Sequence, residues 1–259
     1  MARVTRITSR SNPLLLRLRR LADDGAAYRR DGMVLLEGEH LCDAWRARAR
    51  APVAQAIVTE PAWDEPRLRA LAEAAAEVAV VSGVAMASLG SLDSPASIAF
   101  LIAVPGAAVI RPAAPTVVLD RVQDPGNAGA VLRSAAAFGF TQVIAIVGTA
   151  ALWSPKALRA GMGAHFGLDL VEGVAAGALA GLAVPLLATS SHAEERIDRF
   201  DLPWPCAWVF GHEGQGVADE VAARCRAVLR VPQPGGQESL NIAAAAAICL
   251  YESARRRRG

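Results

Sequence analysis

The chain has few aromatic residues, a single lysine and no long apolar run, and each shortage narrows what it can be. Aromatic residues make up 5% of the 259 positions, while hydrophobic residues make up 53%. A core of that composition is filled by Ala, Val, Leu and Ile, which suits closely packed α/β layers. No uninterrupted apolar stretch reaches the roughly 18 residues of a membrane helix. The basic N-terminus, MARVTRITSRSNPLLLRLRR, lacks the apolar segment and cleavage site of a secretory signal, so the expected compartment is the cytoplasm. Cys42, Cys206, Cys225 and Cys249 match neither paired zinc ligands nor a CxxC redox motif. They are expected to be reduced thiols, and no metal or membrane partner is implied.

What the chain has in place of lysine is arginine: of 27 basic residues only Lys156 is a lysine. Net charge is +2, but eight arginines fall within residues 1–30 against Asp23 and Asp24, and four more close the chain at Arg255–Arg258. Arginine grips phosphate through a bidentate fork and stacks on bases, so a basic N-terminal region fits a nucleic acid. A general preference for arginine on an ordinary solvated helix face gives the same pattern, and charge alone does not separate the two.

The apolar patterning divides the chain in two. Leu14, Leu15, Leu18 and Leu21 follow the 3.6-residue period and predict a helix over residues 10–30. MVLLEGEH reads as a strand entering a glycine turn, and LCDAWRARAR as the next helix. QAIVTEP (55–61) is a strand, RLRALAEAAAEV (67–78) a helix, and VAVV (78–81) and Ala99–Val104 are further strands. This alternation predicts a first α/β domain over residues 1–104. PGAAVIRPAAP (105–115), with three prolines, has the composition of a linker. A second domain over 116–259 begins with TVVLDRV (116–122), a helix from about 127 to 138 and TQVIAIVG (141–148), a βαβ-like unit. PLLATS (185–190), CAWVFG (206–211) and AVLRVP (227–232) are strand candidates, followed by a helix from about residue 240. That helix is apolar on most sides for its first half, which predicts burial in the core or against a partner subunit.

Three segments at strand ends of the second half break the core pattern. QDPGNAGAVLRSAAAFGF (123–140) is a glycine-rich turn running into a helix, without the Lys-Ser/Thr of a P-loop or a dinucleotide fingerprint. VFGHEGQGV (209–217) ends a strand in three glycines around His212, Glu213 and Gln215, and VPQPGGQESLN (231–241) ends in Glu238, Ser239 and Asn241. Ligands of open α/β sheets bind beyond the carboxyl ends of strands, so the three loops are expected to share one crevice. Singly, each has a plainer explanation: glycine turns are common, Ser239 fits a helix N-cap, Asn241 fits the first helical turn, and Arg133 fits a polar helix face.

In combination and order, the segments resemble the SpoU (TrmH-like) family of RNA ribose 2′-O-methyltransferases, within the SPOUT superfamily. The resemblance rests on Asn127-Ala128-Gly129 with Arg133, on Gly211-His212-Glu213-Gly214-Gln215-Gly216, and on Val231-Pro232 with Ser239-Leu240-Asn241. SPKALRAGMGAHF (154–166) resembles a fourth family segment, and ITSRSNPLLLRLRRL and VLLEGEHLCDAW resemble its attached ribosomal-protein-like RNA-binding domain. The chain departs from the family at Gly161, where Ser is usual, at Gln233 and Gln237, where Met and an aliphatic residue are common, and from Ile242 onward.

The resemblance implies methyl transfer from S-adenosylmethionine to a ribose 2′-hydroxyl, with ribosomal RNA favoured over transfer RNA because of the N-terminal domain. It also implies a trefoil-knotted, mostly parallel α/β fold, an N-terminal RNA-binding domain and a homodimer. Arg133 is the implied catalytic arginine, with Asn127, Glu213, Ser239 and Asn241 around the reacting ribose. Gly211, Val231 and Leu240 would hold the cofactor through backbone groups, with Thr189 nearby, and Arg10, Arg17, Arg19 and Arg20 would meet RNA. A free guanidinium has a pKa of about 12.5–13.8, so Arg133 is either a base in a strongly perturbed site or an electrostatic clamp. An inactive RNA-binding factor and a small-molecule enzyme are the competing classes. The intact motif residues speak against the first, and the basic first helix against the second.

Overall fold

The computed structural model describes residues 2–48, 51–89, 95–106, 108–236 and 239–257. Gln237 and Glu238, from the third segment, lie outside them. The chain folds as two units, Met1–Gly106 with Trp153–Phe166, and Ala107–Leu152 with Gly167–Gly259.

The first unit contains β1 (Arg3–Ile7), α1 (Pro13–Asp23), α2 (Ala27–Asp31), β2 (Met33–Glu37), α3 (Glu39–Arg48), β3 (Val53–Thr59), α4 (Glu60–Asp64), α5 (Pro66–Ala72), β4 (Ala75–Val81), α6 (Gly83–Ala87) and β5 (Ile98–Ala103). Its sheet runs β1-β4-β3-β5-β2, with β1, β4 and β3 parallel and β5 antiparallel to its neighbours. The helix expected over 10–30 is broken in two between Asp23 and Ala27. Its leucine stripe is buried at Leu15, Leu18 and Leu21. The helix expected over 67–78 ends at Ala72, and Ala75–Val81 is a strand instead. The alanine run has helical propensity, but hydrogen bonding between β1 and β3 overrides it, and Val78, Ala79, Val80 and Val81 are almost fully buried there.

The second unit contains β6 (Thr116–Leu119), α7 (Pro125–Ala137) and β7 (Gln142–Ile146). The chain then forms α8 (Pro155–Gly161), which packs within the first unit, although its sequence position places it with the second half. Phe166 explains this locally: its ring meets Trp45 edge-on at 5.1 Å, and Arg48 donates to the Gly163 carbonyl at 3.2 Å. The second unit continues with β8 (Asp169–Val174), β9 (Leu186–Thr189), β10 (Ala207–Phe210), α9 (Asp219–Ala222), β11 (Ala227–Leu229) and α10 (Ile242–Arg256). Its sheet runs β11-β9-β10-β6-β7-β8, every pair parallel. Strands β6 and β10 are adjacent, and the chain leaves β6 for β7 on one side and returns through β9 on the other. That is the switch point at which open parallel sheets open a crevice.

Among the described residues the proline-rich stretch forms no strand, yet part of it is tied to this unit. The Arg111 N–H donates to buried Gln142 at 2.7 Å, and the Arg111 guanidinium pairs with Asp169 at 2.6 Å. Helix α10 packs on α7 and β10, and Trp208 Nε1 donates to Ser253 Oγ at 2.9 Å in its buried face. Burial of this helix is one-sided: Ala246, Cys249 and Leu250 are covered, while Ile248 and Tyr251 are exposed. No helix among the described residues is long and apolar enough to cross a membrane.

Candidate active site

The carboxyl ends of β6, β9, β10 and β11 are neighbours in the sheet, and the segments leaving them meet. Beyond β6, Asp124 caps α7 by accepting the Asn127 N–H at 2.9 Å, with Pro125 in the first turn where no donor is needed. Beyond β10, the Gly211–Gly216 segment closes on itself: His212 and Gly216 exchange backbone hydrogen bonds at 2.9 and 2.8 Å. His212 Nδ1 accepts from the Gly214 and Gln215 N–H groups at 2.9 and 3.2 Å, which leaves Nε2 to carry the ring proton. Beyond β11, Asn241 caps α10, its Oδ1 accepting the Ala243 N–H at 2.9 Å.

Glu213 joins the first two segments. It accepts from the Gln123 N–H at 3.0 Å, the Asp124 N–H at 3.2 Å and Asn127 Nδ2 at 3.1 Å. Partial burial opposes its ionisation, but these hydrogen bonds outweigh that effect and hold its carboxyl below the usual carboxylate range. Asn127 passes the connection on, its Oδ1 accepting Asn241 Nδ2 at 3.1 Å. Asn127, Glu213 and Asn241, distant in sequence, are thus one hydrogen-bonded chain across three loops.

Thr189, Gly211, Val231, Ser239 and Leu240 line a cavity of about 1100 Å³ together with Glu213 and Asn241. Arg133 stands apart from its wall: it is exposed on α7, six residues beyond Asn127, and has no hydrogen bond or ion pair among the described residues. Asn241 takes the capping position that the sequence suggests for Ser239, because its side chain reaches the second helical N–H. Gly211 is required for a reason nearer than a ligand. A Cβ there would lie 2.2 Å from the Gly216 carbonyl carbon and the Val217 nitrogen, inside the loop's own backbone.

Two residues that the sequence pattern does not single out brace this site. Asp120 is almost fully buried at the end of β6, and its Oδ2 accepts the Ala218 N–H at 2.7 Å. Arg121, at a left-handed φ of 59°, reaches Gln215 Oε1 at 3.0 Å and Asp120 Oδ1 at 3.1 Å. The one signal the sequence holds for them is an apolar strand, VVL, ending abruptly in adjacent opposite charges. Of the four arginines expected to meet RNA, three are engaged within the first unit. Arg17 and Arg20 pair with Asp31 at 3.7 and 2.7 Å, and Arg19 donates to Ser88 at 2.8 Å. Arg10 is exposed and has no such partner among the described residues.

Residues 114–251 match the model of the SpoU rRNA Methylase family. The chain is 30% identical to a Bacillus subtilis 23S rRNA (guanosine(2553)-2′-O)-methyltransferase, over 84% of this chain and 86% of that one. It is 37% identical to a 23S rRNA (guanosine-2′-O-)-methyltransferase of Bordetella pertussis, over 58% of this chain, and spans 63% of that relative's length. Its fold superposes on an AdoMet-bound rRNA methyltransferase from Sinorhizobium meliloti with a TM-score of 0.85 at 25% identity, covering 98% of both chains. With the family's segments converging on one cavity of the parallel sheet, the chain belongs to the SpoU rRNA methylase family.

Proposed function

We propose that the chain transfers a methyl group from S-adenosylmethionine to a ribose 2′-hydroxyl of ribosomal RNA. The observation that carries this reading is the Glu213–Asn127–Asn241 chain, whose Glu213 and Asn241 line the cavity. It fixes polar groups from three loops around one place while leaving Arg133 without a protein partner among the described residues. The cavity has room for a nucleoside-sized cofactor, and the side-chain carbonyl oxygen of Gln233 in its wall is buried without a hydrogen bond among the described residues. Both observations fit a ligand with polar edges.

The cofactor, when bound, supplies an electrophilic methyl group. Backbone groups near Gly211, Val231 and Leu240 hold it, with Thr189 at the end of β9 beside them. Ser239 and Asn241 place the ribose, and Asn127 and Glu213 keep that end of the crevice rigid. As the 2′-oxygen attacks, its proton must leave and negative charge grows on the oxygen. Arg133 meets that charge, together with the neighbouring phosphate, as an electrostatic clamp or as the base itself. Its exposed, solvated position in this chain favours the clamp.

The remaining parts of the reading concern organisation. Residues 1–104 bind the RNA, with Arg10 the one of the four named arginines left without a partner among the described residues, and 116–259 form the methyltransferase domain after a 105–115 linker, apart from 153–166, which pack within the first unit. The reading includes a trefoil-knotted path in the second domain and a cytoplasmic setting. It also includes a homodimer through the α7–α10 face, where Tyr251 meets Phe138 at 5.7 Å beside exposed Ile248. Tritium transfer from S-adenosylmethionine to purified ribosomal RNA, with transfer RNA in parallel and the methylated ribose mapped, tests the activity. Labelling of transfer RNA alone would overturn the substrate, and labelling of neither would overturn the reaction.

A further inference from the structure

Arg121 is held in a backbone conformation that glycine adopts most readily, and the contacts that hold it lead to the site. Its φ is 59°, in the left-handed region, where a Cβ crowds the following carbonyl. Such strain persists where the surroundings over-determine it. Here the Arg121 N–H donates to Thr149 Oγ1 at 3.0 Å, its carbonyl accepts from Gln123 Nε2 at 2.8 Å, and its Nε donates to Asp120 Oδ1 at 3.1 Å. A fourth contact, from Nη1 to Gln215 Oε1 at 3.0 Å, crosses from the end of β6 to the loop beyond β10. That loop is anchored by one short stretch of chain. Arg121 holds Gln215, Asp120 Oδ2 holds the Ala218 N–H, and Gln123, Asp124 and Asn127 hold Glu213. Residues 213–216 are exposed, so hydrogen bonds rather than packing fix this part of the loop.

We propose that Arg121 is a positioning residue for methyl transfer: through Gln215 it sets where Glu213 stands, and through Glu213 how Asn127 and Asn241 meet the ribose. This rests on the proposed reaction. The guanidinium of Arg121 is committed to Asp120, whose carboxylate is 1% exposed, so it is not a cation held ready for phosphate. Arg133, which has no protein partner among the described residues, keeps that task. The chemistry of the side chain fits the positioning role. A guanidinium presents Nε and Nη1 on one rigid plane and meets a carboxylate and an amide at once, whereas a lysine ammonium has no such fork.

A kinetic double-mutant cycle on the full chain, with S-adenosylmethionine and ribosomal RNA, tests this. Arg121→Gly, which removes the side chain and relieves the backbone, and Gln215→Ala should each lower kcat about tenfold, with KM for RNA and cofactor affinity within about threefold of wild type. The double variant should match Arg121→Gly within about twofold, because both changes break the same contact. Arg121→Lys should stay slow, since it keeps the charge without the fork. Multiplied losses in the double variant, a raised KM for RNA at unchanged kcat, or a wild-type rate in Arg121→Lys would each overturn the assignment. Hydrogen-exchange mass spectrometry gives a reading that needs no turnover. Peptides covering 211–217 should exchange about tenfold faster in both single variants and no faster in the double. Exchange within about twofold of wild type in both would overturn the proposal. Thermal unfolding shows that the variants fold, and Arg121→Lys replaces Arg121→Gly in the cycle if the latter does not. If the wild type methylates no RNA, the exchange still decides whether Arg121 sets the loop, and the failure lies with the proposed reaction.

Discussion

Gly211→Ala is a small change whose cost can be worked from the structure. The added Cβ would lie 2.2 Å from the Gly216 carbonyl carbon and the Val217 nitrogen, and 2.3 Å from the Gly216 oxygen. Ordinary carbon contacts begin near 3.4 Å, so the overlap exceeds an ångström and falls on main chain, which cannot rotate away. Relief requires opening the 211–217 loop. That sacrifices the two His212–Gly216 backbone hydrogen bonds, at about 1 kcal/mol each. Overpacking strain adds about 1–3 kcal/mol. The sum is roughly 3–5 kcal/mol, which for a unit of this size lowers the unfolding midpoint by about 10 °C. The comparison variant is Gly214→Ala, whose Cβ would meet only the His212 ring at 3.8 Å. Differential scanning calorimetry with and without S-adenosylmethionine should show Gly211→Ala destabilised and weak in cofactor binding, and Gly214→Ala close to wild type. Equal behaviour of the two variants would refute the reasoning.

Arg133→Ala should lower turnover at least about 100-fold, the scale of removing one transition-state charge partner, while calorimetric affinity for the cofactor stays within about threefold. Asn241→Ala removes both the α10 cap and the link to Asn127. It should cost about 1 kcal/mol of stability in a denaturant melt, with a fall in turnover at saturating cofactor that the stability loss does not account for. Glu213→Gln tests the pH dependence. The Glu213 pKa is depressed in the fold, so its contribution is fully present above the unfolded carboxylate value near 4.5 and disappears as pH falls through the lower folded value. The midpoint gap between wild type and Glu213→Gln should therefore be flat from pH 7 to 5 and shrink below about 4.5. A gap that shrinks between pH 7 and 5 would assign the effect to another group.

The second unit is legible in the sequence where function and regular structure coincide. VVL, AWVF and LLAT are apolar runs buried in a parallel sheet, and such runs announce themselves. β1 does not, because four of its five residues are exposed and RVTRI carries no apolar face. The AAEV run reads as helix because alanine propensity is local, while the hydrogen bonding that makes it a strand comes from Arg3–Ile7 and Val53–Thr59. At the site, Asn127, Glu213 and Asn241 stand out as polar groups among glycines. Asp120 and Arg121 do not, because their partners Ala218 and Gln215 lie more than ninety residues away. The engagement of Arg17 and Arg20 with Asp31 is likewise a tertiary fact that charge counting cannot supply.

The central claim is that the three loops around Asn127, Glu213 and Asn241 hold a cofactor and a ribose for methyl transfer, with Arg133 at the reacting oxygen. Mass-spectrometric mapping of ribose methylation in 23S ribosomal RNA, treated with wild-type protein or Arg133→Ala in the presence of S-adenosylmethionine, tests it most directly. The account predicts one 2′-O-methylated nucleotide with the wild type and none with Arg133→Ala. A methyl group on a base, or equal ribose methylation by both proteins, would contradict it.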